Sequence, residues 1–420
     1  MSKKSDSKDH KSSRELPGNH NELIEQARKE LGNIFNFWQL NAPDNSYGGF
    51  FGRRDHFNRV IPKAEKGIIL NARILWAFSA AGNFYGKPQY LEICKRAFSY
   101  LRDKFNDERY GGVIWMVHYD GTPADTRKQV YAQAFTIYSL SEYYKYSGDK
   151  NALQWAMDIF AQLEEKALDH VSGGYIECFT QDWKAIGDMR LSEKDLNASK
   201  TMNTHLHILE AYTSLLEVSD NQRVSGALED LIHLFLNKFL TEDYTFKLFF
   251  NDDWVNLDTE ISFGHNIEAG WLLINAARQL GNKQFIKTTE SIAVSIADSV
   301  MKQGQDIDYG IYNKMDKLTG EVDTDKHWWP QCEAVVGLLY VWKITKEFKY
   351  LDMARKVWTF IEQNILDKTN GEWFFRVNKE GVPYENENKV GPWKCPYHNS
   401  RACIEIIILL ENGSIPSVPL

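Results

Sequence analysis

A short segment built on glycine and aromatic or β-branched residues returns along this chain of 420 residues. It reads Tyr47-Gly-Gly-Phe-Phe, Tyr110-Gly-Gly-Val-Ile-Trp, Ser172-Gly-Gly-Tyr-Ile, Tyr309-Gly-Ile-Tyr and Asn370-Gly-Glu-Trp-Phe-Phe, with a version at Phe246-Lys-Leu-Phe-Phe that has lost its glycine. Taken at positions 48, 111, 173, 247, 310 and 371, the marks stand 63, 62, 74, 63 and 61 residues apart. A fixed period of this kind is the signature of stacked supersecondary units, each unable to bury its apolar face alone.

Between marks lie two stretches with apolar residues at helical spacing, such as Ile74, Ala77, Phe78 and Ala81, then Leu91, Cys94, Phe98 and Leu101. Each repeat is therefore a helical hairpin. Helix starts fall near 19, 70, 87, 128, 150, 200, 222, 264, 284, 330, 348 and 397, which predicts an all-α closed ring of six antiparallel hairpins. The helices near 70, 128, 200, 264, 330 and 397 are apolar almost all round and carry small residues, so they are expected inside. The others, such as 87–104 and 284–302, alternate apolar and charged faces and are expected outside, with the glycine segments as short strands or turns at one rim. Residues 1–17 (MSKKSDSKDHKSSRELP) hold too little apolar material to order themselves and read as a disordered tail. Residues 18–420 read as a single catalytic domain.

Composition narrows the function by exclusion. Hydrophobic residues at 43% and charged residues at 25% are ordinary globular values. A net charge of −8 without a basic stripe argues against nucleic acid. No stretch approaches the roughly 20 apolar residues that span a bilayer, and no secretory h-region opens the chain, so a soluble cytoplasmic protein is expected. The five cysteines, Cys94, Cys178, Cys332, Cys395 and Cys403, are odd in number and form no C-x-x-C pair, which fits reduced packing thiols. Most of the 13 Trp, 20 Tyr and 23 Phe are core material, but some fall beside His and Glu where helices start, as the walls of a ligand pocket would.

Those inner-helix starts carry residues that structure alone does not require: Arg73; Tyr131; Asn203, His205 and His207; His265 and Glu268; Trp328, Trp329 and Glu333; Trp393, Tyr397, His398 and Arg401. In a ring they converge on one mouth. Asn203 and His207 (i,i+4) share a helix face, as do His265 and Glu268 (i,i+3), whereas His205 points elsewhere and reads as a packing residue. Histidines on opposite sides of a substrate can remove a proton from one face of an acidic carbon and return it to the other, provided the enediolate between is stabilised; Arg73 and His207 suit that task. Three other classes use the same residues differently. A metal enzyme would draw on His205, His207, His265, Glu268 and His398, although i and i+2 diverge on a helix. A glycoside hydrolase would oppose Glu268 and Glu333. A sugar-binding protein would need only the aromatic walls.

The segments Met202-Asn-Thr-His-Leu-His-Ile-Leu-Glu-Ala-Tyr-Thr, Phe263-Gly-His-Asn-Ile-Glu-Ala, Trp328-Trp-Pro-Gln-Cys-Glu-Ala and Trp393-Lys-Cys-Pro-Tyr-His-Asn resemble the cellobiose 2-epimerases, with the N-acylglucosamine 2-epimerases and mannose isomerases as wider relatives. The resemblance runs over roughly residues 20 to 412. It implies an (α/α)6 barrel and epimerisation at C2 of the reducing-end sugar of a β-1,4-linked disaccharide, or of a monosaccharide, without a metal or cofactor; a monomer is expected. It makes His265 and His398 the acid/base pair, with His398 also assisting ring opening. His207, Arg73, Tyr131 and Asn203 would hold the reducing-end oxygens, Glu268 and Glu333 would orient histidines or sugar hydroxyls, and Trp329 and Trp393, with Trp328, would enclose the sugar.

Overall fold

A computed structural model describes residues 20–411; the stretch 1–17 expected as a tail lies outside the described residues. Six helices form the inner wall: α2 (Ile68–Tyr85), α4 (Val130–Ser147), α6 (Met202–Ser219), α8 (Phe263–Gln279), α10 (Trp328–Thr345) and α12 (Tyr397–Glu411). Nearly every residue of their first three turns is buried, as their unbroken apolar sequences require. Outside them lie the amphipathic α1 (His20–Asn41), α3 (Leu91–Tyr100), α5 (Lys150–Lys166), α7 (Gln222–Leu234), α9 (Lys283–Gln303) and α11 (Phe348–Phe360). Each inner helix packs on the next, α12 packs on α2, and the ring closes as an (α/α)6 barrel. The sixth hairpin joins the two ends of the chain, since α1 packs on α12.

At one rim a two- or three-residue strand leads straight into each of five inner helices and pairs with a strand of the following repeat. Lys66–Gly67 pairs with Met116–Val117, Lys128–Gln129 with Cys178–Phe179, Lys200–Thr201 with Phe249–Phe250, Glu260–Ser262 with Lys314–Asp316, and Lys326–His327 with Arg376–Val377. For α12 the counterpart is a single bridge between Arg54 and Val390, which closes the circle.

Two sets of buried polar residues lock this rim. A lysine in the strand reaches the aspartate that opens a glycine turn: Lys66 to Asp44 (2.8 Å), Lys128 to Asp107 (2.7 Å), Lys200 to Asp169 (2.7 Å) and Lys326 to Asp306 (2.7 Å). In the first three, the other aspartate oxygen accepts backbone N–H groups of the turn. In the fourth repeat Ile261 replaces the lysine, and there the glycine is lost as well. Five residues after the second to fifth of these positions stands an anchor that binds the same segment from the helix side, while the counterparts in the first and sixth repeats, Asn71 and Asn399, donate to the Gly67 carbonyl and to Glu372. Gln133 accepts the Val113 N–H (2.8 Å), His205 that of Tyr175 (2.8 Å), Asn266 that of Phe246 (3.1 Å) and Gln331 that of Ile311 (2.7 Å). Glycine is obligatory at Gly174, where φ is +75° and a Cβ would stand 2.5 Å from the Trp254 ring. All five cysteines are buried and unpaired, as expected of packing thiols.

Candidate active site

Because the anchors occupy equivalent places in the repeats, they supply a frame for everything that faces the barrel axis. Two residues after Asn71, Gln133, His205, Asn266, Gln331 and Asn399 come Arg73, Phe135, His207, Glu268, Glu333 and Arg401. Two residues before the same anchors come Ile69, Tyr131, Asn203, Gly264, Trp329 and Tyr397, and one residue before two of them come His265 and His398. One face of six parallel helix starts therefore builds the site, which is how residues more than 300 positions apart meet.

They surround a cavity of about 700 Å³ at the rim, within the range of sites that enclose small ligands. Of the residues singled out in the sequence, Arg73, Tyr131, Asn203, His207, His265, Glu268, Trp328, Trp329, Trp393 and His398 line it. Glu333 lies behind the wall, against His398. His205 stays out of the cavity, with Nδ1 on the Thr201 carbonyl (2.7 Å) and Nε2 on the Tyr175 N–H. The sequence reading missed His327 and two stretches of wall, the one from Glu387 to Pro392 and that from Leu191 to Asp195, which belongs to the loop that lengthens the 74-residue interval. It also missed Glu210, although His207-x-x-Glu210 repeats the i,i+3 spacing of His265 and Glu268.

Three of the four histidines that line the cavity, His327 being the fourth, are fixed through Nδ1. His207 is bound to Glu210 (3.0 Å), His265 to the Ser262 hydroxyl (2.9 Å) and His398 to Glu333 (2.7 Å). Among the described residues none of the three has a partner on Nε2. A carboxylate behind an imidazole holds it as the Nδ1–H tautomer and leaves Nε2 as the reactive nitrogen. Burial pulls His265 down to about 3, helped by His207, and holds His398 well below the ordinary value, helped by Arg73 and Arg401. Both are neutral at neutral pH and able to accept a proton. The Trp329 ring packs against both, at 4.7 Å from the His265 ring and 5.7 Å from that of His398.

Across the cavity Arg73 donates to the Tyr131 hydroxyl (2.7 Å), its guanidinium lying over Phe135 at 4.1 Å and Tyr397 at 4.7 Å. Among the described residues its Nε has no partner, and neither has Asn203 Oδ1, both atoms being buried. Arg73 thus sets a fixed positive charge in the cavity wall. Beneath the histidines, Arg401 gathers three carboxylates: Nη1 reaches Glu210, and Nη2 reaches Glu268 (2.7 Å) and Glu333 (2.8 Å). Burial works against ionisation of Glu210, but the Arg401 charge and the His207 hydrogen bond outweigh it and hold the group at about 2. Glu268, Glu333 and His398 offer ligand atoms within 4.8 Å of one another, close enough for a divalent ion. The guanidinium nitrogen already bound to both glutamates supplies positive charge there.

The family described as N-acylglucosamine 2-epimerase (GlcNAc 2-epimerase) matches residues 49–402. A cellobiose 2-epimerase of Bacteroides fragilis is 42% identical over 387 residues, covering 92% of this chain and 98% of that protein. A sugar epimerase from a ruminal bacterium superposes with a TM-score of 0.88 at 36% identity, over 92% of this chain and 98% of the other. The cellobiose 2-epimerase of Bacillus thermoamylovorans B4167 gives a TM-score of 0.87 at 35% identity, over 92% and 99%. With its repeat, its barrel and its histidine-lined mouth, the chain belongs to the N-acylglucosamine 2-epimerase superfamily of sugar epimerases and isomerases.

Proposed function

We propose that this protein is a cellobiose 2-epimerase, interconverting glucose and mannose at the reducing end of β-1,4-linked disaccharides without a metal or cofactor. The observation that carries the reading is the pair His265 and His398, carried by different helices, each anchored at Nδ1 and each packed against the Trp329 ring in one cavity. Relatives described as cellobiose 2-epimerases, 35% to 42% identical to this chain, support the choice of substrate. In the open-chain sugar the proton on C2 is acidic because the C1 aldehyde accepts its electron pair. One imidazole takes that proton at Nε2, and the C2 electrons form the C1=C2 bond of an enediolate. The second imidazole, having taken a proton from solvent as the sugar binds, gives it to C2 from the other face, and the first then loses its proton to solvent, which restores the neutral pair. Arg73, His207, Tyr131 and Asn203 hold the oxygens, the cation favouring the charge that develops on them. Trp329, Trp393 and Trp328 wall the sugar and keep water from the intermediate.

A hydrolase reading fits the site less well. Glu268 and Glu333 bind the same nitrogen of Arg401 on one wall, where a glycosidase needs its carboxyls on two sides of the scissile bond. Incubation of the purified protein with cellobiose, followed by product NMR, tests the proposal. A glucosyl-mannose product is expected; release of glucose, or no reaction while mannose or N-acetylglucosamine turns over, would overturn it.

A further inference from the structure

We propose that Glu268 is a second kind of catalytic group in this site, a carboxylic acid that keeps its proton at neutral pH and donates the O–H to the substrate oxygen that becomes negative when C2 is deprotonated. The proposal rests on the epimerase reading above, and the first evidence for it is a count of donors.

Three buried carboxyls share the guanidinium of Arg401. Glu210 receives Arg401 Nη1, the Tyr397 hydroxyl (2.5 Å) and His207 Nδ1 (3.0 Å). Glu333 receives Arg401 Nη2 (2.8 Å), Trp271 Nε1 (3.1 Å) and His398 Nδ1 (2.7 Å). Each therefore accepts three hydrogen bonds, as an ionised carboxylate should. Among the described residues Glu268 receives one, from Arg401 Nη2 to Oε1 (2.7 Å), and its Oε2 is buried without a partner. Three negative charges against one guanidinium would leave two uncompensated in a region closed to water, a cost several times that of neutralising one carboxyl. The least supported of the three is the one to neutralise, and its bare oxygen is the place for the proton. Burial raises both glutamates, Glu268 well above its ordinary range and Glu333 less far, in the order that the donor count gives.

Position gives the proton a use. Glu268 lies in the cavity wall, with Oε1 3.9 Å from His398 Nδ1. When the C2–H bond breaks and its electron pair moves into C1=C2, the former carbonyl oxygen gains the charge. An ionised carboxylate beside it would oppose that step, whereas a neutral acid donates a hydrogen bond that strengthens as the charge grows. The hydrogen bond needs no proton transfer, so the acid is unchanged at the end of the cycle.

The test compares the full-length protein with Glu268→Gln, which keeps the shape and an N–H donor, and Glu268→Met, which keeps only the bulk. Infrared difference spectra at pH 7 should show a protonated-carboxyl C=O band in the parent that is missing from Glu268→Gln. Turnover of cellobiose should stay within about tenfold of the parent in Glu268→Gln and fall about 100- to 1000-fold in Glu268→Met, the usual loss for an oxyanion donor. An unchanged band overturns the protonated state, and equal losses in the two variants overturn the donor role. If the parent does not epimerise cellobiose at all, the functional reading fails while the infrared comparison still decides whether Glu268 carries the proton.

Discussion

Residues 205 and 207 show how far two identical side chains can diverge within one helix turn. His205 sits at an anchor place that glutamine fills in the second and fifth repeats, with both nitrogens used in backbone hydrogen bonds; His207 faces the cavity over Glu210. Glutamine should therefore replace His205 at little cost near pH 7. The substitution also removes a proton acceptor. Burial holds His205 at about 4, below its ordinary value near 6.5, so as pH falls from 6.5 toward 4 the unfolded chain takes a proton that the folded one refuses, and stability drops. The loss is about 1.4 kcal/mol per pH unit. Denaturant titrations should show the parent losing about 2 kcal/mol more than His205→Gln between pH 6.5 and 5; parallel losses would contradict the assignment. Glu210→Gln makes the opposite case, since it weakens a charge-assisted bond to His207 that contributes about 1.5 to 3 kcal/mol. The expected result is a kcat lowered about 10- to 100-fold with a nearly unchanged KM. A change confined to KM would remove Glu210 from the positioning machinery.

Among the elements, the rim strands are too short to be stable by ladder hydrogen bonds alone, which places unusual weight on the lysine and aspartate pairs that fasten them. Lys128 and Asp107 are almost wholly buried, with the Gln181 amide also donating to Asp107 (3.0 Å). Burial opposes the Asp107 charge, but these donors and the turn N–H groups keep its carboxyl below the ordinary value. Truncation of one partner strands a buried charge, so Lys128→Met should destabilise by about 3 to 5 kcal/mol. The exposed pair Lys95 and Glu92 on α3, 2.9 Å apart, serves as the control, and Lys95→Met should cost no more than about 0.5 kcal/mol. Chemical denaturation of both variants checks the contrast, and equal costs would show that the rim pairs are not structural. These pairs were invisible in the sequence because a lysine before a helix usually means a solvated end. Only the strand pairing turns that position inward.

On the scale of the whole molecule, the glycine period and the all-round apolar helices made the barrel legible, because both follow from local chemistry repeated six times. Helix starts expected near 70, 200 and 397 lie at 68, 202 and 397. The closure of the ring by α1 and α12 could not be read in the same way, since no loop of the chain joins them. The site divides likewise. Residues at helix starts, such as His265 and Trp329, announced themselves by being polar or aromatic where packing has no need of them. Glu210 acts on the cavity through other side chains, and the 191–195 wall comes from an irregular loop without a periodic signal. Nothing in the described helices is long and apolar enough to cross a membrane. Proton transfer through C2 is the claim on which the whole account depends, and it is tested most directly by incubating the chelator-treated protein with cellobiose in deuterated water. Glucosyl-mannose carrying one deuterium at C2 is expected, formed as fast as by the untreated protein in the same solvent. A product with its original hydrogen at C2, or activity that vanishes with the chelated metal, would contradict it.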